Sequence, residues 1–356
     1  MNAIKKIQTD GKKILSVFGL KIPYATHQNG VTKSISIGPV KIPYHFTDKR
    51  HIPLPFPQSP KSIRCRGVDE LKKEHYRERE KWNDSATVKA RIEELYERRM
   101  GHSPNLEQPM RFTEKLNGLK LTCQDPRITV CCDKYALKGY VDQLLGPMHC
   151  VPTLAAWKCA GEIDFDALPN SFVLKVNWSS GYNLFIHDKA ALTRREKARI
   201  RAQIEVWLRP EGNSYYDSFN WGYKEIAPVV YAEPFLPTTS TVQEYKVFCF
   251  HGKPEFTLME VNPLGGEWSR VCVDNNGTKL PFTFGTQAVS DRYETPEDLR
   301  TMLDMAKILA VDFPFVRVDF LGTKGHRMVG EMTFYSGGGF SKITPDEWDE
   351  KIGCLL

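Results

Sequence analysis

Residues 316–340 read Val-Arg-Val-Asp-Phe-Leu-Gly-Thr-Lys-Gly-His-Arg-Met-Val-Gly-Glu-Met-Thr-Phe-Tyr-Ser-Gly-Gly-Gly-Phe. Two apolar runs with alternating polar positions flank a Lys-Gly turn, which predicts a β-hairpin. Period two puts Arg317 and Asp319 on one face of the first strand, and Glu331 and Thr333 on one face of the second. An ion pair between Arg317 and Glu331 would account for part of this pattern. It leaves the second carboxylate and the Gly337–Gly339 run unexplained. Carboxylates on adjacent strands can hold one divalent cation, and oxygen ligands suit Mg²⁺ shared with nucleotide phosphates. The hairpin therefore predicts a nucleotide site built on an antiparallel sheet.

The elements before it must supply that sheet. Residues 68–100 are charged and helical in character; Asp84 or Ser85 caps a helix that Gly101 stops. Thr113 caps a second helix at 114–121, broken by Asp125-Pro126. Asp133 caps a third, ended by Gly146-Pro147. From Val151 strands and helices alternate: strands at 151–157, 172–177, 183–188 and 229–236, with an amphipathic helix at 193–208. A hairpin follows at 244–250 and 255–261, then a helix from Thr295-Pro296 to about Ala310. This mixture predicts an α+β or α/β architecture with at least one largely antiparallel sheet.

The first 64 residues differ. Lys-Ile-Pro-Tyr occurs at 21–24 and again at 41–44, each copy after an apolar stretch, and the prolines argue for edge strands or extended segments. Eleven Lys or Arg stand there against Asp10 and Asp48, a surplus of nine on a chain of net charge +6. A basic arm of this kind suits an anionic polysaccharide or a membrane surface, or is simply a solvated extension. Nucleic acid is not expected, since no motif of a reading module is present. No apolar run approaches the roughly 18 residues of a membrane span. The Ile14–Leu20 stretch lacks a small-residue cleavage pattern, so no signal peptide is expected. Nine cysteines without a paired C-x-x-C pattern suggest free thiols in a reducing cytoplasm.

Three further places can carry chemistry. Lys175 lies mid-strand, where a lysine must pair with an anion or reach solvent. The small residues of Trp178-Ser-Ser-Gly-Tyr182 follow it, and Ser180 and Gly181 would let backbone amides approach phosphate. Lys134 stands at a helix start, which favours anions. The segment Ala232-Glu-Pro-Phe-Leu236 can offer backbone groups to a base, and Glu244 a carboxylate to a ribose. Taken singly, an exposed cap lysine or an edge glutamate explains each as well.

Taken in order, these pieces resemble the ATP-grasp ligases, and most nearly the TupA-like ATP-grasp family of bacterial surface-polysaccharide gene clusters. The phrases that carry this are Phe112-Thr-Glu-Lys-Leu-Asn117, Asp133-Lys-Tyr-Ala136, Leu168-Pro-Asn-Ser-Phe-Val-Leu-Lys-Val-Asn177, Glu244-Tyr-Lys-Val-Phe-Cys-Phe250, Phe313-Pro-Phe-Val-Arg-Val-Asp-Phe320 and Gly330-Glu-Met-Thr-Phe334. They cover roughly residues 110–356. The resemblance implies an α+β ATP-grasp fold, in which two α+β subdomains sandwich ATP. The segments would be a basic strand-rich extension (1–64), a helical region (65–150), a small nucleotide-binding subdomain (151–236) and a C-terminal subdomain with the metal hairpin (237–356).

The same resemblance implies roles. Lys134 and Lys175 would hold phosphates beside Ser180 and Gly181. Glu233, Phe235 and Leu236 would line the adenine pocket, and Glu244 would take the ribose. Asp319, Glu331 and Thr333 would bind Mg²⁺, Thr333 standing where many ATP-grasp enzymes have an asparagine. Arg317, with Lys175 and Lys246, would act on the transferring phosphoryl group. Trp178, Ser179 and Tyr182 depart from a more glycine-rich loop pattern, so closure over ATP would differ or use stacking. The implied activity is ATP- and Mg²⁺-dependent ligation of a carboxylate to an amine through an acylphosphate. The acceptor would be a uronic acid of a capsule or O-antigen, and the amine an amino acid or small amine, at the inner face of the membrane or free in the cytoplasm. A sugar phosphotransferase and a non-catalytic carbohydrate- or nucleotide-binding protein are the competing readings.

Overall fold

The structure is a computed structural model. It describes residues 65–235, 244–260, 269–285, 289, 293–322 and 325–356 with their side chains. For the strands before residue 46, and for residues 261, 288 and 323, it describes the backbone alone. The N-terminal strands are β1 (Ile4–Thr9), β2 (Lys12–Val17), β3 (Leu20–Pro23), β4 (Ala25–Asn29), β5 (Thr32–Ile37) and β6 (Val40–His45). They form two antiparallel meanders, each closing on a Lys-Ile-Pro copy. In the first, β3 is an edge strand. In the second, β6 pairs with a later strand only at Val40 and Lys41, so Pro43, which has no N–H to give, faces a partner on one side alone.

Helices α1 (Val68–Glu80), α2 (Ser85–Met100), α3 (Phe112–Thr122), α4 (Pro126–Cys132) and α5 (Leu137–Leu145) come next. Asp84 caps α2 by accepting from the Thr87 amide, and Gly101 ends it with φ +90°. Asp125-Pro126, which the sequence marks as a break, also starts α4: Asp125 accepts from the Arg127 amide and proline takes the first helical position. The Asp133 carboxylate then accepts from the Tyr135 and Ala136 amides and turns the chain into α5.

The following elements are β7 (Ala155–Trp157), β8 (Phe172–Val176), β9 (Asn183–Ile186), α6 (Arg194–Trp207), α7 (Ser214–Ser218) and β10 (Val230–Pro234). With the second meander they build a seven-stranded sheet in the order β4-β5-β6-β9-β8-β10-β7. Strands β11 (Glu244–Phe250), β12 (Lys253–Val261) and β13 (Ser269–Val273) are followed by β14 (Thr283–Phe284), β15 (Ala288–Val289), α8 (Leu299–Ala310), β16 (Phe315–Thr323), β17 (His326–Thr333), β18 (Ile343–Thr344) and α9 (Glu347–Gly353). Here the order is β15-β13-β12-β11-β16-β17, antiparallel except for β13–β15, while β14 pairs with β18. The β11–β12 turn uses His251 and Gly252, both at positive φ, as a two-residue hairpin loop of the primed type demands. Thr295 does not cap α8; its hydroxyl donates to the Gly277 carbonyl instead, and the helix begins at Leu299.

The two faces of the six-stranded sheet do different work. Tyr245, Val247, Val316, Val318 and Phe320 are buried on one face in the main core, together with Met302, Leu303, Ala306 and Leu309 of α8. The other face is aromatic at one end, where Phe248, Phe250, Phe256 and Phe315 join Phe112 in a second cluster. Along the same strands this face turns charged: Lys246 lies two residues before Phe248, and Arg317 and Asp319 lie two and four beyond Phe315.

Candidate active site

Strand register builds the charged end. Asp319 stands opposite Lys246 on one side and Glu331 on the other, and Arg317 stands opposite Thr333. A bulge follows: Phe320 pairs with Val329, so Gly330 is passed over. That extra residue lets Val329 face the core beside Phe320 while Glu331 stays on the polar face. A Cβ on Gly330 would lie 2.5 Å from Leu321 Cδ2, so a larger residue there would have to push that side chain aside.

The charges interlock. Arg317 grips Asp319 through two hydrogen bonds of 2.6 Å, from Nε and Nη2, and also donates to Thr333 Oγ1 (3.1 Å) and Ser336 Oγ (3.0 Å). Lys134 Nζ reaches Glu331 Oε2 at 2.7 Å. Burial pushes the Glu331 carboxyl up, but Lys134 and Arg317 outweigh it and hold it at about 2. At Asp319 burial wins over Arg317 and keeps the carboxyl above its usual range.

From the seven-stranded sheet, Lys175 pairs with Glu233 on β10, and Lys138 Nζ reaches the other Glu233 oxygen at 2.6 Å. Lys138 also donates to the Val151 carbonyl (2.8 Å) and Thr153 Oγ1 (2.9 Å). Glu233 is 5% exposed, so two ammonium groups are what make its burial tolerable. Further along the other sheet, Glu260 accepts from Lys246 (2.8 Å) and from Arg270 Nη2 (2.7 Å), and Lys246 also lies 3.2 Å from Glu244. Burial raises the Glu260 carboxyl, yet Lys246 and Arg270 together lower it to about 2.

One pocket collects most of these groups. Lys134, Lys175, Ser180, Gly181, Glu233, Glu244, Lys246, Arg317, Asp319 and Glu331 line it. Phe235 and Thr333 do not line it. Phe235 instead meets His187 at 4.7 Å between ring centroids, and Leu236 lies outside the described residues. Sequence reading missed Lys138, Glu260 and Arg270. Lys138 lies four residues after Lys134, in the first turn of α5, while Lys134 stands in the turn before it.

The 178–182 loop is fastened from beneath. Trp178 is fully buried and donates to the Trp207 carbonyl at 3.2 Å, Ser179 Oγ donates to Gly212 (2.9 Å), and Tyr182 stacks on Trp207 at 4.9 Å and 6°. The bulky residues thus anchor the loop to the end of α6, leaving Ser180 and Gly181 exposed at its tip.

The glycine run also has a structural account. Gly337, Gly338 and Gly339 have φ of +58°, +69° and +75°, a left-handed turn that costs other residues about 1–2 kcal/mol each. The buried Lys120 donates to the Gly338 carbonyl (2.6 Å), and Asn117 donates to the Gly339 carbonyl (2.7 Å). The turn begins at Ser336, the residue held by Arg317, so α3 braces the site from behind.

The donor set fits a hard cation. Asp319 and Glu331 present carboxylate oxygens directly across the hairpin. Among the described residues no group of three or more His, Cys, Asp or Glu could hold a metal. These two carboxylates therefore suit an ion that takes its remaining ligands from phosphate and water, not a protein-only cage.

A family model described as TupA-like ATPgrasp matches residues 114–356. Comparison with curated proteins finds no match. Among solved structures, D-alanine–D-alanine ligase from Bacillus anthracis is 16% identical with a TM-score of 0.33, covering 58% of this chain and 57% of its own. D-cycloserine synthetase DcsG is 17% identical with a TM-score of 0.32, covering 59% and 64%. The ATP-grasp ligase PsnB, solved with minimal precursor, Mg and ADP, is 12% identical with a TM-score of 0.31, covering 62% and 57%. The chain thus spans less than two thirds of the length of each of these proteins.

Proposed function

The chain belongs to the TupA-like ATP-grasp family, and we propose that it is an ATP- and Mg²⁺-dependent ligase that joins a carboxylate to an amine. The observation that carries this reading is the convergence of Lys134, Lys175, Arg317, Asp319 and Glu331 on one pocket. The reaction begins when an acceptor carboxylate oxygen attacks the γ-phosphorus of ATP. The bond to the β-phosphate oxygen breaks, ADP leaves, and an acylphosphate remains. The amine nitrogen then attacks the acyl carbon, phosphate departs, and a proton from the amine is released.

Each side chain has a task in that scheme. Lys134 and Lys175 exchange their present carboxylate partners for phosphate oxygens. Lys138 stays on Glu233 and keeps that buried carboxylate paired when Lys175 turns to the nucleotide. Arg317, in two-pronged contact, steadies the charge on the transferring group. Asp319 and Glu331 hold Mg²⁺, which when bound neutralises charge on the phosphates. Lys246 stands next to Asp319 on the neighbouring strand and adds positive potential at the transfer point. Ser180 and Gly181 cover the phosphates, Glu244 takes the ribose, and Glu233 borders the base; Phe235, turned to His187, is no part of this site.

The acceptor in this reading is a uronic acid of a bacterial surface polysaccharide, and the amine an amino acid or small amine; the family resemblance supports this substrate class. Phosphoryl transfer to a sugar hydroxyl is disfavoured, because it needs a free base near the acceptor. The described carboxylates that line the pocket, Glu233, Glu244, Asp319 and Glu331, are all ion-paired, and no histidine lines it. The test is hydroxylamine trapping. A hydroxamate should form with ATP, Mg²⁺ and a uronate, and ADP release in the absence of hydroxylamine should require both uronate and amine. Phosphorylated sugar without hydroxamate would overturn the ligase reading.

A further inference from the structure

A second concavity, of about 540 Å³, lies between α1 and the 224–228 segment that leads into β10. Its lining holds Lys72, Lys73, Arg77, Arg79 and Lys224 against one carboxylate, Glu225. That carboxylate is taken by Arg79, and Lys224 is committed to the Trp82 carbonyl (3.2 Å) and Asn83 Oδ1 (3.0 Å). Lys72, Lys73 and Arg77 are exposed and have no partner among the described residues. This is not an ordinary mixed-charge helix face. Glu74 and Glu78 lie beside these cations in sequence, yet they pair with Arg66 and Lys81. Lys73 and Arg77 stand one turn apart as like charges, an arrangement that opposes helix formation. Tyr76, on the same stripe, is 58% exposed and borders the groove.

The groove touches the nucleotide side of the molecule. His75 in its floor meets Trp178 in a tilted ring contact, 4.8 Å between centroids and 57° between planes. Asn177, at the root of the 178–182 loop, donates to the Ala227 carbonyl and accepts from the Val229 amide, both at 2.9 Å.

We propose that this groove binds an acidic oligosaccharide, the non-reacting sugars of the acceptor. Guanidinium and ammonium groups pair with ring carboxylates, and Tyr76 offers an amphipathic ring to the apolar face of a pyranose. A concave cleft excludes a flat bilayer. A single exposed aromatic does not make a path for single-stranded nucleic acid, which is bound on successive stacking platforms. The choice of a sugar acid rests on the acceptor class read above, whereas the uncompensated charge stands independently of it.

The experiment is calorimetric titration of the full chain with trigalacturonate at low salt, beside its methyl ester, an anionic phospholipid vesicle and a single-stranded oligonucleotide. The expected result is saturable binding of trigalacturonate and none of the ester. The Lys73→Ala/Arg77→Ala double variant should bind about tenfold more weakly or worse, and Tyr76→Ala should also weaken binding, with thermal midpoints unchanged. ATP titration serves as the separate readout. ATP binding intact in the double variant assigns the loss to the groove. Trigalacturonate bound by a protein that does not bind ATP would sink the ligase reading and leave the groove standing. Absence of trigalacturonate binding, equal binding by the double variant, or preferred capture of vesicle or oligonucleotide would overturn the proposal.

Discussion

The pocket between the two sheets and the groove beside α1 are both rich in cations, but they treat those charges in opposite ways. In the pocket the cations lie against carboxylates: Lys134 with Glu331, Lys138 and Lys175 with Glu233, Arg317 with Asp319, and Lys246 with Glu260. In the groove three cations have no described partner. Internal pairing keeps these buried charges tolerable, because an unpaired buried charge costs several kcal/mol. It also prepares the pocket for a ligand of both signs. In the proposed reaction a divalent cation would take the carboxylates while a polyphosphate would take the released ammonium groups. The groove has no such exchange to offer and suits a purely anionic ligand.

That contrast can be broken at several points. Asp319→Asn should cut Mg²⁺-dependent ADP release by on the order of a thousandfold with the thermal midpoint held; unchanged turnover would remove the exchange picture at its centre. Glu260 tests the stability side. Its folded-state carboxyl is held at about 2, below the ordinary glutamate value of 4.5, so its contribution is fully present above about pH 4.5 and lost as pH falls from there through 2. Roughly 3 kcal/mol of stability is involved. Urea unfolding of Glu260→Gln should show a flatter acid limb across that window, and an identical limb would deny the pairing. Arg317→Lys keeps the charge but loses the fork, and should cost about a hundredfold in turnover. Lys175→Ala should weaken ATP about tenfold while leaving acceptor affinity unchanged; equal losses would argue against a phosphate role. Smallest of all, raising salt within the physiological range should weaken trigalacturonate a few-fold but ATP less, since exposed charges are screened more than buried ones.

The same contrast explains what could be foreseen from sequence. Arg317, Asp319, Glu331 and Thr333 were legible because strand periodicity puts neighbours two apart on one face, and the Lys-Gly turn fixes which strands meet. Lys175 was legible for the same reason. Glu260 and Arg270 were not, because their approach depends on the β11–β12–β13 register, a long-range fact. The glycine run could not be explained from sequence, because the Gly338 and Gly339 carbonyls are spent on Lys120 and Asn117, more than 200 residues away in the chain. Helix α4 was hidden because Asp-Pro both ends one helix and begins the next. The bulkier 178–182 loop was expected to close differently over ATP or to use stacking; Tyr182 stacks within the protein, on Trp207. The groove itself left only a compositional trace, since Lys-Lys and Arg-Glu-Arg within α1 read as ordinary solvated charge until Glu74 and Glu78 are seen to turn elsewhere.

The bulge at Gly330 carries a consequence for how this hairpin can vary. On its outer side, toward residues 322–326, the turn could gain or lose a pair of residues and leave the inner register alone. Inside, the passing-over of Gly330 is what keeps Val329 and Glu331 on opposite faces. Drawing Gly330 into regular pairing opposite Phe320 would put the two on one face, so that a valine would face the pocket or a carboxylate would be driven into the core, whereas deleting the glycine would close the bulge and leave both faces as they are. The pairing of this strand, more than its length, is the ruler that sets one oxygen opposite another.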